Sequence, residues 1–174
     1  MNSKIYQNEI IGNLRITEEN NIVTAIEFAD GEYSPDEICS DLPENAEAGS
    51  GVLDRAYAQI EEYLRGCREE FTFPVQIAGT EFQKEVWSAL LTIPYGETRS
   101  YGEIAEMIGK PRATRAVGMA NNANRLPIVI PCHRVIGKDG RLTGYGGGID
   151  RKKLLLEIER KGVAEGTALG AGGN

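Results

Sequence analysis

The sequence of 174 residues contains one histidine, three cysteines and one tryptophan, and these low counts limit what the protein can be. A single histidine excludes any site that requires two or more histidine ligands. The cysteines, at positions 39, 67 and 132, have unrelated spacings that do not suggest a disulfide framework, so a reducing cytoplasm is the expected setting. No apolar run approaches the ~20 residues of a membrane-spanning helix, and the first residues lack the apolar stretch of a secretory signal. No membrane partner is therefore expected.

The composition that remains is that of an ordinary globular protein, with 41% hydrophobic and 26% charged residues. The length suits one large domain or two small ones. The formal net charge of -7 is unevenly distributed, because residues 1–74 carry 5 basic and 16 acidic side chains whereas residues 75–161 carry 14 basic and 9 acidic ones. Only the second half is therefore expected to meet a polyanion, although on charge alone a solvated charged face is the simpler explanation.

The first half of the chain is predicted to contain strands followed by a helix. Residues 30–50 lack periodicity and predict a loop, whereas apolar residues at three- and four-residue spacing predict a helix at about 51–65 that ends at Gly66. Residues 67–79 suggest a strand or linker, with a domain boundary near 74–80. The predicted strands are the apolar runs Ile5–Ile11, Leu14–Ile16 and Ile22–Phe28.

The second half is predicted to begin with three short helices. Thr80 with Gln83, and Ser100 with Glu103, form capping boxes at the start of the first two. Pro111 suits the first turn of the third helix, which is predicted to extend to about Ala120. The proportions are those of a helix-turn-helix unit, although small helical bundles look similar. A last helix is expected over residues 150–161 with Gly162 as its end, followed by a disordered Gly/Ala-rich tail.

The third helix carries small side chains between two arginines, Arg112 and Arg115. Small residues let a helix backbone approach another surface closely, and that surface is either a neighbouring helix or a DNA groove. The two explanations are equally supported at this point. The small residues are Ala113, Ala116, Gly118 and Ala120.

Cys132 is the cysteine with reactive neighbours, because Pro131 precedes it and His133 and Arg134 follow it. A thiol becomes nucleophilic as a thiolate, which needs a base or a positive charge nearby. Consecutive residues of an extended chain point to opposite faces, so His133 can reach the thiol only if the chain turns or a water molecule bridges them. Glu157 and Glu159 on the last helix are candidates to orient the imidazole.

Six features in register over about residues 80–161 resemble the O6-alkylguanine-DNA alkyltransferase family, the methylated-DNA–protein-cysteine methyltransferases. The densest is the run from Pro131 to Val135, which resembles the family's active-site signature. Residues 1–74 match only loosely. The other features are Thr98–Tyr101, Arg115–Gly118, Asn124, Tyr145–Gly148 and Leu154–Glu159.

The resemblance implies a DNA repair protein that flips O6-alkylguanine out of double-stranded DNA and transfers the alkyl group irreversibly to its own cysteine. The expected fold is α+β: a small N-terminal sheet-plus-helix domain over residues 1–78, then a mostly helical, winged helix-turn-helix-like alkyltransferase domain over 79–162, with 163–174 as the tail. The protein is expected to be a monomer without cofactors. Zinc is not expected, since the first half lacks the cysteines and histidines of the zinc site in certain relatives.

By resemblance, Cys132 is the alkyl acceptor, His133 is its base through a bridging water, and Glu159 orients the imidazole. Asn124 braces the active-site turn, and Tyr101 donates a proton or hydrogen bond to the departing guanine. Arg115 fills the gap left by the flipped nucleotide, and the remaining DNA-binding residues are Arg112, Ala116, Gly118, Ser100, Arg99 and Arg125. The substrate pocket is formed by Val135, Tyr145, Gly146, Gly147 and Pro131.

Two alternatives remain open from the sequence. The first is an inactive alkyltransferase-like protein that binds the lesion, although such proteins replace the acceptor cysteine and Cys132 is present here. The second is a Cys-His hydrolase, which would need an oxyanion hole and would leave the basic helix around Arg115 without a purpose.

Overall fold

The computed structural model describes residues 1–31, 38–39 and 51–170, and the chain divides into two compact units. The first unit comprises Met1–Ala78 with Arg125–Pro127, and the second comprises Gly79–Asn124 and Ile128–Asn174. The mixed α and β fold class is confirmed. Residues 125–127 differ from the expected division, because the backbone N–H of Ile26 donates a hydrogen bond to the carbonyl of Arg125 and draws this short segment into the first unit.

The sheet of the first unit has the strand order β3-β2-β1-β4. Strand β1 pairs antiparallel with β2 and parallel with β4, and β2 and β3 form an antiparallel hairpin. Strand β4 falls within residues 30–50, which were predicted to be a loop. Of that segment, only Asp30, Gly31 and β4 itself are among the described residues. The strands are β1 (Asn2–Tyr6), β2 (Leu14–Glu19), β3 (Ile22–Phe28) and β4 (Ile38–Cys39).

The first strand ends at Tyr6, so the predicted continuation to Ile11 is wrong. The side chain of Asn8 accepts hydrogen bonds from the backbone N–H groups of Ile10 and Ile11, and the Asn8 carbonyl accepts one from Gly12. A side chain that bonds its own local backbone offers the chain a turn in place of a sheet ladder, and the apolar run does not reveal this competition.

Helix α1 (Val52–Leu64) has the predicted extent within one residue and packs its apolar stripe against this sheet. The ring of Tyr57 stacks on that of Tyr6 with centroids 4.4 Å apart. Asp54 accepts hydrogen bonds from the Tyr6 hydroxyl at 2.6 Å and from Lys4 Nζ at 2.7 Å. Gly66 has φ +76°, as expected of a glycine that follows a helix end.

The second unit contains helices α2 to α5 and a pair of two-residue strands that run parallel. Both predicted capping boxes are present, at Thr80 for α2 and at Ser100 for α3. The buried Trp87 of α2 donates its indole N–H to the carbonyl of Ala120 in α4 at 2.9 Å. The elements are α2 (Glu81–Leu91), β5 (Arg99–Ser100), α3 (Tyr101–Met107), α4 (Thr114–Asn122), β6 (Val135–Ile136) and α5 (Ile149–Gly170).

Helix α4 begins at Thr114, three residues after the proline that was predicted to open it. The backbone N–H of Ala113 donates to the carbonyl of Lys110 at 2.8 Å, so Pro111 and Arg112 lie in a separate turn. Proline favours a turn position as readily as a first helical turn, and the sequence alone does not separate the two.

Helix α5 continues to Gly170, so the predicted end at Gly162 is wrong and residues 163–170 are helical. Gly162 is a packing residue, because a Cβ atom there would lie 2.8 Å from the hydroxyl of Tyr95. A glycine inside a helix costs only about 1 kcal/mol relative to alanine, which a favourable close approach can offset.

No helix within residues 1–31, 38–39 and 51–170 has both the length and the apolar character needed to cross a membrane.

Candidate active site

The chain turns at Cys132. Pro131 (φ -78°, ψ 60°) ends the apolar run, and Cys132–Arg134 form one 3₁₀ turn before strand β6 begins at Val135. Strand β6 pairs with β5 through Arg99 and Val135, which places the turn beside the start of helix α3. The chain therefore turns at Cys132–Arg134 and does not continue through these residues as an extended strand.

The Cys132 side chain is buried and is held by the C-terminal end of helix α4. Asn124 Nδ2 donates to Cys132 Sγ at 3.1 Å and to the carbonyl of Ile130 at 3.0 Å. Asn121 Nδ2 lies 3.3 Å from the carbonyl of Cys132. Asn124 was predicted as a site residue and Asn121 was not, although the polar run Asn-Asn-Ala-Asn at the end of a helix was a signal that these amides face something specific.

Burial raises the pKa of the Cys132 thiol to about 11. The Asn124 amide, the positive charge of Lys152 and the backbone N–H groups of Cys132 and His133 oppose this effect, in that order, without overcoming it. Cys132 is therefore a protonated thiol at neutral pH, and it would need a base to become a nucleophile.

His133 is fully buried, and its Nε2 lies 2.6 Å from Oε1 of the equally buried Glu159 on α5. The other candidate, Glu157, is on an exposed part of the helix, where its carboxylate lies 3.9 Å from Lys153. The structure thus brings His133 together with Glu159. With Nε2 facing a carboxylate, the neutral imidazole carries its proton on Nε2, and Nδ1 bears the lone pair.

Burial lowers the pKa of His133, and Glu159 counters this by hydrogen bonding and charge, whereas Arg134 and Lys152 lower it further. The net direction is downward from the ordinary value. A neutral ring at physiological pH can accept a proton, so the pKa shift suits a base rather than a fixed cation.

Lys152 is a site residue that the sequence analysis missed. It is fully buried on α5 and donates from Nζ to the carbonyls of Val135 at 2.5 Å and Thr143 at 2.7 Å. Burial lowers its pKa to about 8, while the Cys132 thiolate would raise it. The signal was the spacing: Lys152, Leu155 and Glu159 recur at helical intervals, which places two charges on the buried face of α5.

Tyr101, at the start of α3, lies over the loop that follows β6. Its hydroxyl donates to the carbonyl of Thr143 at 2.9 Å, and its ring lies close to Gly118 of α4. Burial raises the pKa of Tyr101, and a thiolate at Cys132 would raise it further, so the hydroxyl remains a donor. A Cβ atom at Gly144, which has φ +56°, would lie 3.3 Å from this hydroxyl.

The predicted pocket loop contains one buried aromatic residue, which interacts electrostatically with Cys132, and an exposed glycine beside it in sequence. Tyr145 is buried, and desolvation raises its pKa well above the ordinary value, with the Cys132 thiolate acting in the same direction. Gly146 is exposed, and nothing lies within 4 Å of a Cβ atom built on it. The backbone of Gly148 bonds to the carbonyl of Tyr145 and closes the loop.

Helix α4 has one buried and one exposed face. Val117 and Ala120 are buried, whereas Arg115, Ala116 and Met119 are exposed. The two explanations for the small residues therefore apply to different positions: Ala120 and Gly118 pack against neighbouring side chains, and Ala116 lies on the open face.

The remaining residues predicted to bind DNA are dispersed. Arg112 is exposed in the turn before α4, and Arg99 pairs with Glu97 at 2.7 Å. The Ser100 hydroxyl accepts from the N–H of Glu103 as the cap of α3. Arg125 is exposed and belongs to the first unit. Within the described ranges, no group of three His, Cys, Asp or Glu side chains is placed to hold a metal ion.

Comparison with known proteins gives one consistent result. Residues 81–161 match the family described as 6-O-methylguanine DNA methyltransferase, DNA binding domain, and residues 2–77 match its ribonuclease-like domain. The methylated-DNA–protein-cysteine methyltransferase of Mycobacterium leprae is 49% identical over 153 residues, which is 88% of this chain and 89% of that protein.

Solved structures agree with the sequence matches. The crystal structure of Mycobacterium tuberculosis OGT in complex with DNA superposes with a TM-score of 0.76 and 43% identity, covering 92% of this chain and 93% of that chain. An O6-methylguanine DNA methyltransferase from Methanococcus jannaschii gives a TM-score of 0.65 and 30% identity over 90% of this chain and 92% of its own.

Proposed function

The chain belongs to the 6-O-methylguanine DNA methyltransferase family and is a DNA repair protein that acts by alkyl transfer, and we propose that Cys132 is the acceptor of the alkyl group from O6 of guanine in double-stranded DNA. One observation carries this proposal: a buried thiol, the single imidazole of the sequence and a buried carboxylate occupy one turn and the helix packed against it. Cys67, by contrast, is exposed beyond the end of α1.

Activation of the thiol begins with proton transfer. The proton of Cys132 passes to Nδ1 of His133 through a bridging water, and Glu159 stabilises the imidazolium that forms. The thiolate then attacks the alkyl carbon. A sulfur–carbon bond forms as the carbon–O6 bond breaks, and the electron pair of that bond remains on guanine. Asn124, which donates to the sulfur, stabilises the thiolate while it exists.

Departure of guanine needs a donor for its developing negative charge. Tyr101 supplies a hydroxyl that stays protonated and needs only to exchange its bond to the carbonyl of Thr143 for one to the base. The backbone N–H groups near Gly146 contribute further donors. Guanine takes up a proton from solvent as it leaves, which neutralises the departing base, and the imidazolium of His133 releases its proton to solvent.

The pocket around the acceptor recognises the guanine edge and encloses the alkyl group. The backbone carbonyls of Cys132 and Val135 are the acceptors for the base, and the loop around Tyr145 closes over the substituent. Lys152 holds the Val135 carbonyl, which fixes the direction of that acceptor. The remaining pocket residues are Pro131, Gly146 and Gly147.

The lesion lies inside a stacked duplex, so the nucleotide must be extruded at a cost of a few kcal/mol. We assign this work to the exposed face of α4, where Ala116 allows close approach to the groove and Arg115 fills the space of the flipped base. Gly118 is half-buried beside the Tyr101 ring and is the second small residue proposed to border this surface. Additional contacts to the DNA come from Arg112, Arg99, Ser100 and Arg125.

The product is a thioether on Cys132, and no other nucleophile in the proposed site can cleave it. Each molecule therefore acts once. We also propose that the protein needs no cofactor and that it works as a monomer in the cytoplasm without a membrane partner.

Replacement of single cysteines tests the assignment. Duplex DNA that carries O6-methylguanine is mixed with the wild-type protein, Cys132→Ser and Cys67→Ser, and the loss of the methyl group from DNA is measured together with binding of the duplex. Cys132→Ser is expected to bind the duplex but remove no methyl group, and Cys67→Ser is expected to match the wild type. Methyl removal by Cys132→Ser would refute the proposal.

A further inference from the structure

Arg134 has no part in the chemistry described above, yet it is one of the most constrained side chains near the site. Only 7% of it is exposed. Its Nε lies 3.0 Å from both carboxylate oxygens of Glu159, and its Nη1 donates to the carbonyl of Ile93 at 2.6 Å. The guanidinium also lies 5.7 Å from the centroid of the Tyr95 ring. Such a set of contacts fixes both the position and the charge of the group.

The carboxylate of Glu159 is shared between three donors. Oε1 faces His133 Nε2 and Arg134 Nε, and Oε2 faces Arg134 Nε and the backbone N–H of Gly96 at 2.8 Å. With a neutral imidazole, the buried ion pair of Glu159 and Arg134 has no net charge. A protonated imidazole would give the cluster one uncompensated positive charge in a medium of low dielectric constant, which is unfavourable.

Apart from Arg134, the charged groups that act on the imidazole are one cation, which lowers its pKa, and one anion, which raises it. Lys152 on α5 is a second cation that lowers the pKa of His133, and Glu159 on the same helix is the anion that raises it. From the segment after α2, Tyr95 and the Gly96 backbone face the Arg134–Glu159 pair. The Cys132 thiol precedes the ring on its own turn and is protonated at neutral pH.

We propose that Arg134 is a positioning residue that shares the carboxylate of Glu159 with His133 and keeps the imidazole uncharged, and so able to accept the proton of Cys132, at pH values where a histidine–glutamate pair alone would already be protonated. This inference rests on the proposed role of His133 as the base. The guanidinium acts through its positive charge, which its contacts with both carboxylate oxygens and with the carbonyl of Ile93 hold beside Glu159.

The single histidine of the chain makes a direct test possible, because one imidazole resonance needs no assignment. The pKa of His133 is measured by NMR titration of histidine-labelled wild type, Arg134→Met, Arg134→Gln and Arg134→Lys. Arg160→Met, which removes an exposed charge next to Glu159 in sequence, is the matched control. The glutamine variant keeps a donor for Glu159 and so provides a second neutral replacement where methionine compromises folding.

In the folded neutral variants the pKa of His133 is expected to rise by about 1 to 3 pH units, whereas Arg134→Lys and Arg160→Met stay within a few tenths of the wild type. The pH below which methyl transfer slows is expected to move upward by a similar amount in the neutral variants. A purely structural role would slow transfer at every pH and leave that point in place.

An unchanged pKa in the folded neutral variants, or the same rise in Arg134→Lys as in Arg134→Met, would overturn the inference. A different result would contradict the proposed function without affecting this inference. If wild-type protein does not take up a methyl group on Cys132, the titration still shows whether Arg134 controls the charge of the ring.

Discussion

The sulfur of Cys132 is held where ionisation is unfavourable, and few groups counter that tendency. Burial raises the pKa of the thiol to about 11, and the hydrogen bond from Asn124 is the largest opposing contribution. The same amide also bonds to the carbonyl of Ile130, so one side chain both shapes the turn and stabilises the thiolate. The order of these effects makes Asn124 the residue whose loss affects the sulfur most directly.

Two replacements of Asn124 separate its two roles. Asn124→Ala removes the donor to the sulfur and is expected to slow methyl transfer roughly 10- to 100-fold, since a hydrogen bond to a charged group contributes about 1.5–3 kcal/mol. Asn124→Asp keeps the size but sets a negative charge against the thiolate, so its transfer rate is expected to be lower still. The transfer rates of both variants are measured in single-turnover reactions at saturating duplex. Equal rates for the two variants would show that Asn124 only shapes the turn and does not stabilise the thiolate.

The identities of most site residues could be predicted from the sequence, but their burial could not. Cys132 and His133 stand in a motif whose residue types suggest the chemistry, Asn124 was named from the family resemblance, and Glu159 was one of two acidic candidates. Lys152 was missed because a lysine on a helix is normally a surface residue, and its burial depends on the carbonyls of Val135 and Thr143, which come from other parts of the chain.

Among the elements, helix α5 contributes most to the site, because it carries both Lys152 and Glu159 on its buried face. It also packs beyond the point where the sequence suggested an end. Val163, one residue past Gly162, packs closely against Gly96. A Cβ atom built on Gly96 would lie only 2.5 Å from Cγ2 of Val163. The turn at Gly96 that donates to Glu159 is therefore held against the extended part of the helix.

Replacement of Gly96 by alanine tests this packing. Gly96 (φ +78°) and Gly109 (φ +69°) have similar left-handed backbones, but nothing lies within 4 Å of a Cβ atom on Gly109. Gly109→Ala is expected to cost only the conformational penalty, about 1 kcal/mol, and Gly96→Ala about 1–3 kcal/mol more. Unfolding followed by the fluorescence of Trp87, the single tryptophan, reports on this unit. Equal losses would show that α5 does not pack there.

Helix starts with a capping box were predicted correctly, and so was the end of α1 before Gly66, whereas the end at Gly162 and the start at Pro111 were not. A capping box is a local pair of hydrogen bonds, so the sequence contains both partners, as at Thr80 and Ser100. A single glycine or proline is compatible with several local structures, and contacts with distant residues decide which one forms at Gly162 and at Pro111. For Gly162 that contact is the hydroxyl of Tyr95, which is far away in sequence.

On the scale of the whole molecule, an acidic first part is joined to a basic second part that contains Cys132. The composition change predicted this division, but it gave no indication that residues 125–127 group with the first unit, since that depends on a hydrogen bond to Ile26. The second unit contains Cys132, His133 and the exposed arginine-bearing helix α4, so the proposed chemistry and DNA contact reside mostly in one part of the chain.

The most direct test of the central claim is the mass of the wild-type protein after reaction with an excess of duplex DNA bearing O6-methylguanine, followed by peptide mapping. We expect one methyl group per chain, located on the peptide that contains Cys132, with no further demethylation of DNA at longer times. More than one equivalent of repaired guanine per chain, or a methyl group on Cys39 or Cys67 instead, would contradict the account.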